Sequence, residues 1–511
     1  MDNSQNNIGY FPQMPLCDKH LSVELNSDFT LPDYQPEIRK LLSTRAIILP
    51  QSEYLGNGNA DIQGEICYKI TYLGADYCIY CTTLSDKYGF STSLDFNSHS
   101  IMSEGTTLIP HCTTESMSTR VLGPRKLNVR ARLTCHLLAF SPAEYLPNLV
   151  GAHNKANIEN KICTTNCINI KKGFSEAVLL NDFITFDTPI DNVRIIDCTS
   201  TPIVNECLAT NDKISIRGDV VLKLLYCNDA EGITPLSITR KLPFTCDVLC
   251  AGVNSLFECT AHGVCYDEGF DFKENGLALE ITLSLFALAQ KNEPVKYVED
   301  SYSTEKVCEA SSSKLFLNNS VRCCYGNLTQ NEVFMLESIR LSPNAKIVDT
   351  VAKSSINELS FENDKLVLKG NNDFQLIYSI DGEYASLSLS SPIRYEVDCR
   401  HTSLNDNLLK WFAKASTSSV RARLDGERLF IDSELNICLS VISTASIDIL
   451  SEMMFGEYLK KPLGEILLCY PDKSATVWSI GKQYGEAQKS LRAKNAIPES
   501  EEQAKKRYLI I

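Results

Sequence analysis

The sequence predicts a mainly β protein, in which three repeated β-rich domains precede a small α+β module with strand, helix, helix, strand order. Two observations lead to this fold class. A strand-like stretch with a glycine eight residues before a tyrosine occurs three times, and a second alternating stretch follows each copy at a nearly constant distance. The C-terminal segment contains neither stretch and shows helical patterning instead.

The first stretch alternates apolar and polar residues, which is the period of a strand with one buried face. Its glycines are 154 and then 152 residues apart, far beyond the period of a solenoid repeat, so a whole domain repeats. Asn372 interrupts the apolar face of the third copy and indicates either a buried polar contact or a bulge. The three copies occupy residues 61–72, 214–226 and 366–378, with glycines Gly64, Gly218 and Gly370.

The second stretch keeps the same phase in all three copies. It runs from Leu127 to Leu137, from Leu277 to Leu285 and from Leu429 to Leu439, and it begins 63, 59 and 59 residues after the respective glycine. Two alternating strands that hold phase through three copies indicate duplication of one domain.

The chain of 511 residues is too long for a single core, in agreement with several domains. We predict a flexible N-terminal tail, three repeats with a linker after the first, and a C-terminal module. The predicted bounds are 1–19 for the tail, 20–145, 171–292 and 293–450 for the repeats, 146–170 for the linker and 464–511 for the module.

Composition narrows the class of protein. The net charge of −14 argues against nucleic-acid binding, which needs clustered lysine and arginine. The N-terminal residues lack a basic start and an apolar run, and no apolar run reaches the length of a membrane span, so we expect a cytoplasmic protein. The 21 cysteines are spread over the whole chain, and we interpret them as reduced, mostly buried thiols.

No sequence motif for catalysis is present, and we predict no enzymatic activity, metal or cofactor. The pair Cys78 and Cys81 is the best zinc candidate, but a single CxxC supplies only half of a structural site. His111-Cys112 and Cys135-His136 raise a nucleophile hypothesis. Neighbouring residues in a strand face opposite sides, which excludes a dyad within either pair and leaves pairing between the two open.

The C-terminal segment predicts two helices between short strands. We expect a strand over Glu465 to Tyr470, a helix over Val477 to Tyr484 and a second over Glu486 to Lys494. A closing strand should follow over Arg507 to Ile511. Thr476 is a suitable N-cap for the first of these helices, and Gly485 should end it.

This segment resembles a LysM module, since Thr476-Val477-Trp478-Ser479-Ile480-Gly481-Lys482-Gln483-Tyr484-Gly485 matches most of that family's core, and Leu491 and Asn495 follow at the expected places. The resemblance implies a shallow groove for N-acetylglucosamine glycans or a protein partner. Ser474-Ala475 replaces the family's usual Gly-Asp, which counts against glycan binding. We interpret Trp478, Ile480 and Leu491 as core residues. The groove candidates are Lys473, Ser474, Ala475, Thr476, Asn495, Ala496 and Ile497.

The repeats are similar to SPOCS domains, the family found in SipL-type spore-coat morphogenetic proteins of endospore-forming bacteria. The similarity lies in residues 28–38, in Lys69-Ile70-Thr71-Tyr72-Leu73 and in Asp300-Ser301-Tyr302-Ser303-Thr304, which should open the third repeat. It implies a coat scaffold made in the mother cell, attached at the forespore surface, whose LysM module binds the coat-basement ATPase, stage IV sporulation protein A, alongside other coat proteins.

The charge distribution of the chain favours a partner with an acidic surface, because residues 471–511 carry a net charge of +3 and the other residues a net charge of −17. The alternative hypothesis is a cell-wall protein that binds peptidoglycan.

Overall fold

The computed structural model of the chain is built mainly from long antiparallel strands. None of the described helices is long and apolar enough to cross a membrane. The structure describes residues 8–56, 58–94, 96, 104–150, 157–186, 193–228, 232–274, 276–399, 409–460, 467–472, 474–500 and 509–511.

Unit 1 consists of two antiparallel sheets. β1 and β6 flank β7 in one sheet, while β4 pairs with β2 and β3 along one edge and with β5 along the other. Its strands are β1 (Tyr10–Thr30), β2 (Ile38–Ile48), β3 (Ser52–Gly56), β4 (Asn59–Gly74), β5 (Ile79–Ser93), β6 (Thr107–Gly123) and β7 (Lys126–Glu144). A short strand, β8 (Asn148–Val150), follows.

Unit 2 has the same strand order. β14 lies between β9 and β13, and β11 lies between β10 and β12. The strands are β9 (Ile158–Ile184), β10 (Val193–Thr210), β11 (Lys213–Asn228), β12 (Gly232–Leu249), β13 (Glu258–Lys273) and β14 (Gly276–Ser303).

Unit 3 repeats the arrangement, with β20 between β15 and β19 and β17 between β16 and β18. β8 adds to it in parallel along β20. The elements are β15 (Lys306–Met335), α1 (Leu336–Ile339), β16 (Lys346–Glu362), β17 (Lys365–Ile380), β18 (Glu383–Asp398), β19 (Leu409–Asp425) and β20 (Arg428–Tyr458).

The alternating stretches form the central strands of these sheets. The glycine-to-tyrosine copies are in β4, β11 and β17, and the second copies are in β7, β14 and β20, so both predicted strands are confirmed in each unit. Their apolar faces meet across each unit: Ile66 and Leu133 are fully buried in one cluster of unit 1, as are Leu222 and Leu283 in unit 2.

The recurring glycine is explained by a close approach of neighbouring strands. A Cβ atom on Gly218 would lie 2.1 Å from the carbonyl oxygen of Ile203, and one on Gly370 would lie 1.9 Å from that of Ser355. In unit 1 the obstacle is the Tyr88 side chain, 2.5 Å from a Cβ atom on Gly64. Only glycine fits at these points without moving the neighbour.

The three units pack around a common axis. One buried cluster joins Phe11 of unit 1, Val295 of unit 2 and Leu317 of unit 3. A second joins Leu73, Cys227 and Ile377. Since the same parts of all three units meet in each cluster, the units form a closed ring rather than an extended row.

Three predicted bounds are wrong. Residues 10–19, predicted as part of a flexible tail, lie in β1, because Phe11 and Met14 are buried where the units meet. The predicted linker 146–170 contains β8 and the start of β9. Asp300 to Ser303, expected together with Thr304 to open the third repeat, instead form the end of β14, which pairs with β9 as far as Ser303.

The C-terminal module consists of β21 (Leu468–Cys469), α2 (Val477–Tyr484), α3 (Gln488–Asn495) and β22 (Leu509–Ile510). The strand, helix, helix, strand order is confirmed, and so are the bounds of α2. Its small core contains Val477, Ile480, Leu491, Ile497 and Leu509.

Candidate partner-binding site

Helix α2 is held in place by a reciprocal cap. Thr476 Oγ1 accepts a hydrogen bond from the backbone N–H of Ser479 at 3.1 Å, and Ser479 Oγ accepts one from the N–H of Thr476 at 3.0 Å. Gly485 ends the helix with φ of 62°, in the left-handed region that favours glycine. The predicted cap and stop signals are both confirmed.

The predicted groove residues differ in accessibility. Ser474 and Ala496 are exposed, Ala475 and Thr476 are half-buried, and Asn495 and Ile497 are buried. Lys473 lies outside the described residues. The side chains that can meet a partner directly therefore lie in the loops before α2 and after α3.

Asn495 has a structural task within the module. Its Nδ2 donates to the carbonyl oxygens of Leu491 at 2.9 Å and Ile510 at 2.7 Å, and its Oδ1 accepts from the N–H of Ile510 at 2.7 Å. These bonds fasten the last strand to α3, so a substitution of Asn495 would disturb the fold of the module before it tested any contact.

Trp478 was predicted as a core residue, and this prediction is wrong. The side chain is only half-buried and lies outside the module core, with its ring at 4.9 Å from that of Tyr302 in β14. Its Nε1 donates to Asp300 Oδ2 at 2.9 Å. Trp478 therefore attaches the module to the ring of units.

The attachment surface combines charge with a buried tyrosine. Lys482, one helical turn after Trp478, donates to both carboxylate oxygens of Asp300 at 2.7 Å. The Tyr302 hydroxyl donates to the carbonyl oxygen of Glu486 at 2.8 Å, and a Cβ atom on Gly481 would lie 2.4 Å from that hydroxyl. Gly481 thus permits the close contact, and this face of α2 is occupied by the body of the protein.

The ring is closed by equivalent polar residues, each five positions after the recurring glycine. Lys69 of unit 1 donates to the carbonyl oxygen of Cys198 in unit 2 at 2.7 Å, and Lys223 of unit 2 donates to that of Thr350 in unit 3 at 2.9 Å. Gln375 of unit 3 completes the circuit by donating to the carbonyl oxygen of Leu42 in unit 1 at 3.3 Å.

Ion pairs reinforce two of these joints, the one between units 1 and 2 and the one between units 2 and 3. Arg45 pairs with Asp197, Lys69 with Glu268 at 2.6 Å, and Lys223 with Asp349. Desolvation opposes the charge of Lys69, but Glu268 and Asp197 outweigh it and raise the pKa of Lys69. These largely buried charges are paired between units, and removal of one partner would leave the other charge unpaired at the joint.

The proposed cysteine and histidine dyad does not form. In the β6–β7 ladder Cys112 lies opposite Cys135, and His111 lies opposite His136, so the thiols share one face and the imidazoles the other. A hydrogen bond with Cys135 and burial raise the pKa of the Cys112 thiol. The 21 cysteines are present as thiols and not as disulfides in the structure.

A second titratable cluster lies where the three units meet. The Phe412 ring is 4.7 Å from His111 and 5.1 Å from His262, and Lys414 Nζ donates to the carbonyl oxygen of Gly263 at 3.0 Å. Desolvation, followed by the charge of Lys414, lowers the pKa of His111 to about 4 and lowers the pKa of His262. Desolvation also lowers the pKa of Lys414 to about 8.

The fold defines a protein class: a ring of two-sheet β units that carries a small α+β module. Residues 191–265, from β10 into β13, match the family model described as SipL, SPOCS domain. No curated protein matches the chain. The family match supports a SipL-type protein, as the sequence resemblance predicted, and SipL-type proteins are a non-catalytic sporulation family. The matched domain suggests a sporulation- and coat-related protein.

Proposed function

We propose that this protein is a non-enzymatic adaptor of spore-coat assembly, which tethers the coat to the forespore surface. Its C-terminal module binds a coat-basement ATPase of the stage IV sporulation protein A type, and the ring of units contacts other coat proteins in the mother-cell cytoplasm. The observation that supports the proposal most is the way the module is mounted: one face of α2 is fixed on β14, while the loops that hold Ser474 and Ala496 stay exposed.

A fixed module suits an adaptor. Because Asp300 holds Trp478 and Lys482, the module adds little orientational freedom, and binding at its free loops costs less conformational entropy. Two binding regions on one chain also raise the effective concentration of each partner near the other. Modest individual affinities are then sufficient for a stable layer.

The electrostatic balance supports an acidic partner face. Residues 471–511 carry a net charge of +3 on a protein of −14, and Lys482, one of their cations, pairs with Asp300. Complementary charge raises the association rate more than the affinity, so binding should weaken as ionic strength rises.

The test compares two partners with the full chain. The isolated module is unsuitable, since it would lack Tyr302 and Asp300, the partners of Trp478 and Lys482 in β14. The proposal predicts saturable binding to the purified coat-basement ATPase and no sedimentation with peptidoglycan above the level of an unrelated protein. Binding to peptidoglycan without binding to the ATPase would contradict the proposal and support a wall-associated protein.

A further inference from the structure

Three side chains that can bind a metal ion lie together on unit 1, far from the module in sequence. His20 of β1 is directly opposite His136 of β7, and Asp18 is two residues before His20 on the same strand. Residues directly opposite, and residues two apart in a strand, lie on the same face of a sheet. Among the described residues, this is the group of three in which all candidate ligand atoms lie within 4.8 Å of one another.

The distances suit a small ion. The imidazole rings of His20 and His136 are stacked with centroids 4.3 Å apart, and His136 Nε2 lies 2.9 Å from Asp18 Oδ1. Ligand atoms around a tetrahedral zinc ion are about 3.4 Å apart, given metal–ligand bonds near 2.1 Å. Binding thus needs a small opening of the His136–Asp18 contact and a rotation of each ring toward the ion, without movement of the strands.

Metal ions bind deprotonated carboxylates and neutral imidazoles, and these are the ligand types that Asp18, His20 and His136 supply.

A neighbouring lysine orients the carboxylate. Lys410 Nζ, from β19 of unit 3, lies 3.2 Å from Asp18 Oδ2, while Oδ1 faces His136. One oxygen is therefore held by the lysine and the other is directed toward the histidines. Such supporting contacts fix the geometry of metal ligands in proteins. Asp18 and His20 are exposed, so an ion can enter from solvent.

We propose that Asp18, His20 and His136 form a binding site for a divalent transition metal ion, with zinc as the expected ion. Two imidazoles and a carboxylate are a typical zinc ligand set, and three protein ligands leave a fourth position for water or for a residue of a bound partner. The site lies outside the matched residues 191–265 and outside the module, so it is independent of the proposed function.

The test uses cobalt as a spectroscopic probe for the zinc site in the full chain. Protein freed of metal under reducing conditions is titrated with Co²⁺, and bound cobalt is then displaced by Zn²⁺. We expect one equivalent with the weak absorption bands of nitrogen and oxygen ligands and without a thiolate charge-transfer band. The spectrum separates this site from adventitious binding to the 21 cysteines.

Two variants of one chemical type complete the experiment. Asp18→Asn keeps the size of the side chain and should weaken metal binding at least 10-fold, since even supporting contacts account for about 10- to 100-fold. Asp247→Asn is the control, because Asp247 also accepts from a lysine, Lys213 at 2.6 Å, but is not part of the ligand group found among the described residues. The proposal is overturned if the native chain does not bind Co²⁺, or if the spectrum of the bound Co²⁺ is dominated by thiolate charge transfer. It is also overturned if Asp18→Asn binds Co²⁺ as tightly as the native chain.

Discussion

Removal of one carboxylate should release the C-terminal module from the ring. Asp300 of β14 accepts three hydrogen bonds from α2, one from Trp478 and two from Lys482. The substitution Asp300→Ala removes all three and leaves the edge-to-face contact of Trp478 with Tyr302 and the hydrogen bond from Tyr302 to the module backbone.

The magnitude follows from these contacts. A hydrogen bond from a neutral donor to a charged acceptor contributes about 1.5–3 kcal/mol. The pair with Lys482 is partly exposed, with 40% and 25% of the two side chains accessible, so it adds only about 0.5 kcal/mol. The sum of about 2–3.5 kcal/mol corresponds to a docking equilibrium about 30- to 400-fold weaker.

Fluorescence can follow the docking of the module, because the chain contains only Trp411 and Trp478. In a Trp411→Phe background the emission reports Trp478 alone. Asp300→Ala should shift this emission to the red at urea concentrations where the β signal in circular dichroism is still native. Glu299→Ala is the matched control: Glu299 is the preceding residue and pairs with Lys161 at 2.5 Å instead of with the module.

If Asp300→Ala and Glu299→Ala show the same emission maximum and the same urea dependence as the parent, Asp300 does not hold the module on the ring.

Three further predictions concern the ring itself. Asn372→Leu should destabilise the protein by about 2 kcal/mol in urea unfolding, because Asn372 is fully buried and donates a hydrogen bond to Ser433 at 3.1 Å. If the variant is more stable than the parent, Asn372 only interrupts an apolar face and its hydrogen bonds do not stabilise the fold. Lys223→Met should lower the free energy of unfolding by about 3–5 kcal/mol, since it leaves the Asp349 carboxylate without its cation at a joint between units. A loss below about 1 kcal/mol would contradict a stabilising ion pair at this joint. The pKa of His111 is lowered from 6.5 to about 4, so His111 stays neutral in the folded state while it gains a proton in the unfolded state. The free energy of unfolding should therefore fall by about 1.4 kcal/mol per pH unit as pH decreases from 6.5 toward 4. His111→Phe should remove this part of the pH dependence, and an unchanged slope would contradict the lowered pKa of His111.

The sequence predicted those parts of the fold that depend on local periodicity. β4, β11 and β17 lie where apolar and polar residues alternate, because each strand buries one face against its own unit. The bounds of α2 were predictable because Thr476 and Gly485 act within one turn of the helix. In each case the residues that decide the structure are close in sequence.

Contacts between units were not predictable in this way. Lys69 has the pattern of an ordinary polar strand residue, and its partner Glu268 lies in another unit. Trp478 fits the apolar face of α2 in the amphipathic pattern. The periodicity of the helix does not show that Trp478 contacts the Tyr302 ring and the Asp300 carboxylate of β14 instead of the core of the module. The metal candidates were missed for the same reason, since only the β1–β7 register brings His20 opposite His136.

The most direct test of the adaptor proposal is the affinity of the full chain for the purified coat-basement ATPase, measured for two tryptophan substitutions of exposed serines. Ser474→Trp places a large side chain in the free loop of the module, and Ser255→Trp places the same side chain in a loop of unit 2. The proposal predicts affinity at least 10-fold weaker for Ser474→Trp and native affinity for Ser255→Trp, since a bulky residue within an interface prevents close packing. Native affinity for both variants would show that this loop of the module is not the binding surface, and weakening by Ser255→Trp alone would move the surface to the ring.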